Sequence, residues 1–237
     1  LYDIYFDGVF LNAGFDVLDE LGRQEKPFFL GVGFHRPHLP FVAPKQFWDL
    51  YDRSNFSLAP FQERATNSPD LAYHNFEELR SYTDIPLEGS LTVEKQLELI
   101  HGYYAASSYI DFLVGKLVSY LDTLGIKENT IIVLWGDHGW HLGDHNLWCK
   151  HSNFEEATRV PLMFRIPGQK LPGAVCDAPV EFTDIAPTLC ELNAIEIPHY
   201  FEGESLIPLF NNPDTSIRYG ALSQYPRWGG RKGYSLR

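Results

Sequence analysis

The sequence has few cysteines, a deficit of basic residues and no long apolar run. Three cysteines in 237 residues are too few for a disulfide framework, and their spacing is not that of paired zinc ligands. The 19 Lys and Arg residues face 31 Asp and Glu residues, giving a net charge of −12. This balance argues against a nucleic-acid binder, which usually presents a basic face. A polyanionic substrate would need a local basic pocket, which an acidic protein can still contain.

Membrane-spanning and targeting segments are also missing. No apolar run reaches the roughly 18 to 20 residues that a transmembrane helix needs, so we expect no membrane span. The chain opens on Leu1-Tyr2-Asp3, without a methionine or a basic-then-apolar signal, so we expect the true N-terminus upstream. The sequon Asn55-Phe56-Ser57 is a candidate glycosylation site and suits a secretory or lysosomal route. Cys176 and Cys190 could pair in a secreted protein, but two ordinary buried thiols are the favoured interpretation.

Hydrophobic residues make up 44% of the chain and aromatic residues 15%, enough for a substantial core. Apolar residues at three- and four-residue steps from Leu99 to Leu124 predict a long helix, capped by Thr92 and ended by Gly125. A shorter helix is predicted to end at Leu21. Strands are predicted at 28–33, 130–135, 161–166 and 178–182, and a further helix at 183–192. Strands that alternate with helices indicate an α/β fold with helices on both faces of a sheet.

Two polar segments follow predicted strands. Residues 35–40 contain two prolines and predict a rigid loop that carries His35 and His38. Residues 51–90 are polar and punctuated by proline, which predicts an irregular excursion over the surface. Because ligands bind outside the carboxyl ends of strands in open α/β sheets, His35 and Asp137 are expected near a binding site.

The segment 136–154 holds four histidines, two aspartates and one lysine, a density that is hard to explain as core. Asp137 directly follows a strand, where a carboxylate is costly unless a cation or several donors meet it. Calcium or magnesium would suit its oxygens, whereas His138 beside it is more typical of zinc or manganese, so the metal stays open. The alternative is that Asp137 only caps the following turn.

Other residues of these segments have candidate roles and plain alternatives. Lys150 could neutralise an anionic substrate oxygen, although most lysines are simply solvated. His35 and His38 could act as acid, base or anion donor near neutral pH, although isolated loop histidines seldom do. At most one or two of three further histidines are expected to matter: His141, His145 and His151.

The segment 136–154, together with 27–41, resembles the sulfatase family, and within it the branch that acts on 2-O-sulfated iduronate. Further similarity lies in 55–60, 223–227 and 233–237, so the resemblance spans nearly the whole chain. It implies an alkaline-phosphatase/sulfatase-like α/β fold, truncated at the N-terminus. Residues 1–175 would be the C-terminal part of the catalytic domain, and 176–237 the remaining strand and helix with the start of a small C-terminal subdomain.

The resemblance also implies roles for individual residues. Asp137 and His138 match calcium ligands, which would resolve the metal as one Ca²⁺, although other sulfatases commonly have asparagine at the second position. Lys150 and His35 match residues that contact the sulfate group, so both are catalytic candidates. His38 is a candidate for substrate binding. Trp140 and His141 fall where the family's pocket meets the sugar, and are the weaker substrate candidates.

The family also needs an N-terminal aspartate pair and a Cys-x-Pro-x-Arg motif whose cysteine becomes formylglycine, and this chain has neither. The nucleophile is therefore expected upstream of Leu1. The implied function is hydrolysis of 2-O-sulfate from iduronate in heparan or dermatan sulfate, a sulfated glycosaminoglycan partner, by a lysosomal, secreted or exported protein. Two alternatives remain: a phosphoester or phosphonate hydrolase of the alkaline-phosphatase superfamily, and an inactive calcium-dependent glycan-binding protein.

Overall fold

The computed structural model describes residues 2–237, except for the side chain of Trp228. The seven α-helices of these residues are α1 Phe6–Leu21, α2 Lys45–Trp48, α3 Glu77–Arg80, α4 Val93–Thr123, α5 Glu155–Thr158, α6 Ile185–Leu192 and α7 Ile207–Asn211. Single turns of 3-10 helix occur at Tyr2–Ile4, Arg53–Asn55, Asp70–Ala72, Lys127–Asn129, Asp144–Asn146, Phe182–Asp184 and Trp228–Gly230. No helix within residues 2–237 is both long and apolar enough to cross a membrane.

The strands of the described residues form three antiparallel pairs. They are β1 Ile132–Trp135, β2 His141–Leu142, β3 Trp148–Cys149, β4 Leu162–Arg165, β5 Leu222–Pro226 and β6 Lys232–Leu236. β1 pairs with β4 so that Val133 faces Phe164, and β5 pairs with β6 so that Gln224 faces Tyr234. The short ladder of β2 and β3 places His141 opposite Cys149.

The chain divides into two compact units. Unit 1 comprises the chain up to Ser68, His74–Ile131 and Trp140–Lys150. Unit 2 comprises Pro69–Tyr73, Ile132–Gly139 and His151–Arg237. The sequence predicts a different division, with one domain ending at residue 175 and the next beginning at residue 176. That domain boundary stays a prediction.

Unit 1 is organised around α4, which begins and ends where the sequence predicts. Thr92 accepts a hydrogen bond from the Lys95 N–H at 3.2 Å, and Gly125 follows the helix with φ +69°. One core cluster, packed between α1, α2 and α4, consists of Leu11, Ala43, Phe47, Ala105, Tyr109 and Leu113. A second cluster, under the loops, consists of Leu39, Phe76, Leu79, Ile85, Leu91, Ile100, Trp148 and Cys149.

Unit 2 contains a buried ion pair beside its helices. Asp184, which is fully buried, accepts hydrogen bonds from the Glu181 N–H at 2.7 Å and the Glu204 N–H at 2.9 Å. The Arg218 guanidinium lies 2.5 Å from Asp184 and 3.0 Å from Glu181. A buried carboxylate is tolerated when it meets a cation and several donors. The cluster therefore ties three separate parts of unit 2 together.

Several predicted elements are confirmed, and the prediction of two further strands is wrong. The helix that ends at Leu21, the strands within 130–135 and 161–166, and the helix within 183–192 all form. Residues 28–33 and 178–182 have no ladder partner within residues 2–237. Phe29 is 81% exposed rather than buried, because an apolar run indicates a tendency to be covered and does not supply a neighbouring strand. In 178–182, Pro179 also removes a ladder donor.

The cysteines differ partly from the prediction. All three are free thiols, so no bond joins Cys176 to Cys190. These two thiols are half-buried, whereas only Cys149 is fully buried. The sequence predicted that Cys176 and Cys190 are buried, and they are only half-buried. Both lie in stretches of unit 2 that border solvent.

The buried face of α4 gives a stability test. Leu113 is 0% exposed, whereas Leu87 is 79% exposed. Leu113→Ala should lower the free energy of unfolding by about 2–5 kcal/mol, because it removes buried methyl groups and leaves a cavity. Leu87→Ala, the matched control, should change it by less than about 0.5 kcal/mol. Urea unfolding followed by circular dichroism measures both, and equal losses would contradict the packing described for α4.

Candidate active site

The loop at 35–40 is fixed by a buried carboxylate of α1. Asp7, only 1% exposed, accepts hydrogen bonds from the backbone N–H groups of His35 and Arg36. The His38 N–H donates to the His35 carbonyl at 3.1 Å, which closes a turn between the two histidines. Their ring centroids lie 4.9 Å apart. The predicted rigid loop is therefore present, and it holds His35 and His38 side by side.

The ring of His38 has a defined tautomer in its neutral form. Its Nδ1 lies 2.9 Å from the Leu39 carbonyl oxygen. Since a carbonyl only accepts, Nδ1 carries a proton, and the lone pair of the neutral ring is on Nε2. Nε2 is the atom that faces Lys150, with Nζ 2.5 Å away.

Lys150 is positioned by the hairpin of β2 and β3. Leu147, Trp148 and Cys149, each 1% exposed, anchor the strand that precedes it. Its side chain is 16% exposed, and Nζ lies 5.0 Å from the centre of the Trp140 ring. Lys150 is therefore largely enclosed by the protein. The alternative interpretation, a solvated surface lysine, does not fit this position.

Glu78 joins this cluster and was not identified from the sequence. Its Oε1 lies 2.6 Å from Lys150 Nζ and 2.8 Å from His38 Nε2. Burial, followed by the charge of Glu78, raises the pKa of the Cys149 thiol to about 12. Cys149 therefore stays protonated and is no nucleophile. The only signal in the sequence was a carboxylate between two apolar anchors, Phe76 and Leu79, within a polar segment.

Trp140 and His141 are placed very differently. The Trp140 ring packs edge-on against His38, with centroids 5.4 Å apart, so it borders the cluster. His141 is 0% exposed, and burial, with smaller contributions from His74 and His145, lowers its pKa to about 3. It is a neutral, enclosed ring with no surface for a sugar, so its position does not support the predicted substrate role.

The other two histidines of the segment make backbone contacts. His145 Nδ1 lies 3.0 Å from the Glu63 carbonyl. In unit 2, the His151 ring packs against Tyr225 at 5.8 Å, and its carbonyl accepts a hydrogen bond from Arg227 at 3.1 Å. These contacts indicate packing roles for both rings.

Asp137 and His138 lie in unit 2, directly after β1. The Asp137 side chain is 85% exposed, and its Oδ2 is 3.6 Å from His138 Nε2. His138 Nδ1 is 2.8 Å from the Gly139 carbonyl, so it carries the proton and Nε2 has the lone pair of the neutral ring. A backbone partner at one nitrogen is the usual arrangement for a histidine whose other nitrogen binds a metal. The two side chains thus present an oxygen and a nitrogen ligand next to each other.

Gly139 allows the backbone after Asp137 and His138 to approach the chain near α5 closely. Its N–H donates to the Ala157 carbonyl at 2.9 Å, and a Cβ at this position would lie 2.0 Å from the Glu156 carbonyl oxygen. The backbone around Asp137 and His138 therefore approaches the chain near α5 more closely than any side chain permits. Asp137 also accepts a hydrogen bond from the His138 N–H at 3.1 Å, as the capping alternative expects.

The close approach at Gly139 gives a second test. Gly139→Ala should lower the free energy of unfolding by roughly 1–3 kcal/mol, because the new methyl group forces the backbone apart. Gly115→Ala is the matched control, since a Cβ at Gly115 meets nothing within 4 Å and the residue lies inside α4. That control should be stabilising by about 0.5–1 kcal/mol. Thermal unfolding of both variants measures the difference, and a stable Gly139→Ala protein would disprove the contact.

The sequence is similar to known proteins over most of its length. The Sulfatase family profile matches residues 2–194. Human iduronate 2-sulfatase is 34% identical over 264 residues, which cover 89% of this chain and 48% of the human protein. The chain therefore spans about half the length of that curated relative.

Two solved structures share the fold. A protein in complex with its substrate D-glucosamine-2-N,6-O-disulfate has a TM-score of 0.79 at 22% identity, over 98% of this chain and 59% of that one. The phosphonate monoester hydrolase of Silicibacter pomeroyi has a TM-score of 0.78 at 25% identity, over 95% and 45% respectively. The predicted alkaline-phosphatase/sulfatase-like fold class is thereby confirmed. With most of its length matched by the family profile, and with a 34% identical relative, the chain belongs to the sulfatase family.

Proposed function

We propose that this chain forms part of a sulfuric ester hydrolase that removes 2-O-sulfate from iduronate in heparan or dermatan sulfate. The observation that carries the proposal is the cluster of Lys150, His38 and His35 beside Trp140. It combines a cation, two imidazoles and an aromatic face, which suit a sulfate group attached to a sugar. The likeness to human iduronate 2-sulfatase supports the choice of substrate.

The chemistry assigned to this cluster is charge stabilisation and orientation. Sulfate-ester hydrolysis gathers negative charge on the sulfuryl oxygens and on the departing alcohol oxygen, and a held ammonium group stabilises both. Lys150 is the residue assigned to that task, and His35 a second donor to the sulfate. The nucleophile is assigned to a segment outside this sequence, because none of the three cysteines has proline two positions and arginine four positions later.

Asp137 and His138 are assigned to one calcium ion. The Asp137 carboxylate suits a hard cation, and the tautomer of His138 directs a lone pair to the neighbouring Nε2. Within residues 2–237 no three His, Cys, Asp or Glu side chains form a cluster that could hold a metal. The remaining ligands would then come from the segment assigned to the nucleophile. Bound calcium would contribute positive charge next to Asp137 and His138.

We also place the protein on a secretory, lysosomal or exported route. Asn55 is exposed in a short 3-10 turn, so its side chain is accessible to glycosylation.

Lys150→Ala tests the catalytic proposal in the longer polypeptide that carries this chain. It should lower kcat on a 2-O-sulfated iduronide by about 10²–10³-fold, because a preorganised charge is removed from the developing anion. Lys45→Ala is the matched control, since the Lys45 side chain is 84% exposed, and it should leave kcat unchanged. A fluorogenic sulfated iduronide gives both values.

Three outcomes of that assay would contradict the proposal. Turnover by this chain alone would show that the nucleophile lies within it. Preference for a phosphonate monoester would favour the alternative activity, towards which the fold of the Silicibacter enzyme points. Binding of heparan sulfate with no turnover of any ester would favour the glycan-binding alternative.

Calcium binding is tested separately from turnover. Asp137→Asn in the longer polypeptide should weaken calcium binding at least about tenfold, because the anionic ligand becomes neutral. Asp214→Asn is the matched control, an exposed aspartate of the same unit. Isothermal titration with calcium chloride measures both affinities. Equal affinity in the two variants would remove Asp137 from the ligand set.

A further inference from the structure

We propose that Glu78 is a positioning residue of the sulfate site, which directs the ammonium group of Lys150 towards the substrate. This inference rests on the proposed function and extends it to a residue outside the loop and hairpin that carry the other site residues. Glu78 does not touch the substrate in this assignment. It acts through Lys150 and His38, whose side chains it contacts directly.

Glu78 and His38 both accept hydrogen bonds from Lys150. Because His38 carries its proton on Nδ1, its Nε2 accepts from the Lys150 ammonium group at 2.5 Å, and Glu78 Oε1 accepts from the same group at 2.6 Å. The two acceptor atoms, Nε2 and Oε1, lie 2.8 Å apart with the ammonium group against both. Glu78 therefore orients Lys150 together with His38.

The number of N–H donors on Lys150 explains why its orientation matters. An ammonium group has three N–H donors on a flexible stem and has no preferred direction of its own. His38 and Glu78 take two of these donors in the neutral-ring state, which fixes the direction of the third. A fixed third donor can meet a sulfuryl or leaving oxygen without reorganisation, which is the condition for efficient charge stabilisation.

The backbone of Glu78 is itself firmly held. Phe76 and Leu79, on either side of it, are 3% and 2% exposed. The guanidinium of Arg80 lies 3.9 Å from the Phe76 ring centre and donates to the Asn75 carbonyl at 2.8 Å. The same group donates to the carbonyls of Pro86 and Gly89, so the short helix α3 is tied to the loop that follows it. The carboxylate thus has a rigid base.

The negative charge of Glu78 distinguishes a positioning role from a role in attracting the anionic substrate. Its negative charge opposes that of Lys150, so it lowers the electrostatic attraction of the cluster for sulfate. A residue kept for binding strength would not carry that charge. Removing the charge should therefore improve anion binding and impair turnover, a combination that loss of structure does not produce.

The test is Glu78→Gln in the longer polypeptide. The amide keeps the size of the side chain, and kcat on a 2-O-sulfated iduronide should fall roughly 10- to 100-fold, as misplacement of a catalytic group typically causes. The inhibition constant of inorganic sulfate should fall or stay unchanged. The melting temperature should stay within about 2 °C of wild type, since a near-isosteric change on a partly exposed group alters stability little.

Glu77→Gln is the matched control, since Glu77 is the exposed neighbour on the same helix, and it should match wild type in all three measurements. Glu78→Asp should recover only part of kcat, because the shorter side chain retains the charge but not the reach. Unchanged kcat in Glu78→Gln would overturn the inference, as would a rise in the inhibition constant of sulfate together with the loss of kcat.

Failure of the proposed function gives a different result. If the wild-type polypeptide hydrolyses no sulfate ester, the function is wrong, and calorimetry with inorganic sulfate then tests Glu78 alone. Glu78→Gln should still bind sulfate at least as tightly as wild type. Weaker binding in that variant would overturn the role of Glu78 independently of any activity.

Discussion

The burial of α4 is the constraint on which unit 1 depends. This helix presents Ala105, Tyr109 and Leu113, all 0% exposed, to α1 and α2. The Tyr109 hydroxyl donates to the Tyr2 carbonyl at 2.9 Å, and burial raises the pKa of Tyr109 to about 12, so this bond persists across the physiological range. Because α1 is docked in this way, Asp7 near its start can hold the loop of His35. The position of His35, a histidine of the proposed sulfate site, thus follows from the packing of a helix that contributes no residue to that proposed site.

Much of this arrangement could be predicted from the sequence because it depends on local patterns. The spacing from Leu99 to Leu124, with Thr92 and Gly125 at its ends, determined the limits of α4 almost to the residue. Two prolines predicted the loop of His35 and His38, and an apolar β-branched run predicted β1. In each case the information lies within one stretch of chain, where periodicity and caps act directly.

The remainder depends on partners that are distant in the sequence. Residues 28–33 are the apolar run expected of a buried strand, yet Phe29 is 81% exposed and no ladder forms with any other described segment. Glu78 was missed for a related reason. It lies 72 positions before Lys150, in a segment without periodicity, and no pattern in the sequence relates the two. His141 shows the opposite case, because the resemblance implied a sugar contact for it and the hairpin of β2 and β3 buries it completely.

Three acidic residues show why residue type alone does not identify a ligand site. Asp184 is fully buried and meets two backbone N–H groups and an arginine, and Asp7 is 1% exposed and meets two backbone N–H groups. Both are satisfied by the protein itself, so an added cation would have to displace existing donors. Asp137 is 85% exposed and directs its carboxylate to solvent beside His138. Binding of a calcium ion to its oxygens would require no rearrangement of the core. Exposure after a strand end is therefore the property that distinguishes Asp137 from Asp7 and Asp184, and it agrees with the calcium role proposed for Asp137.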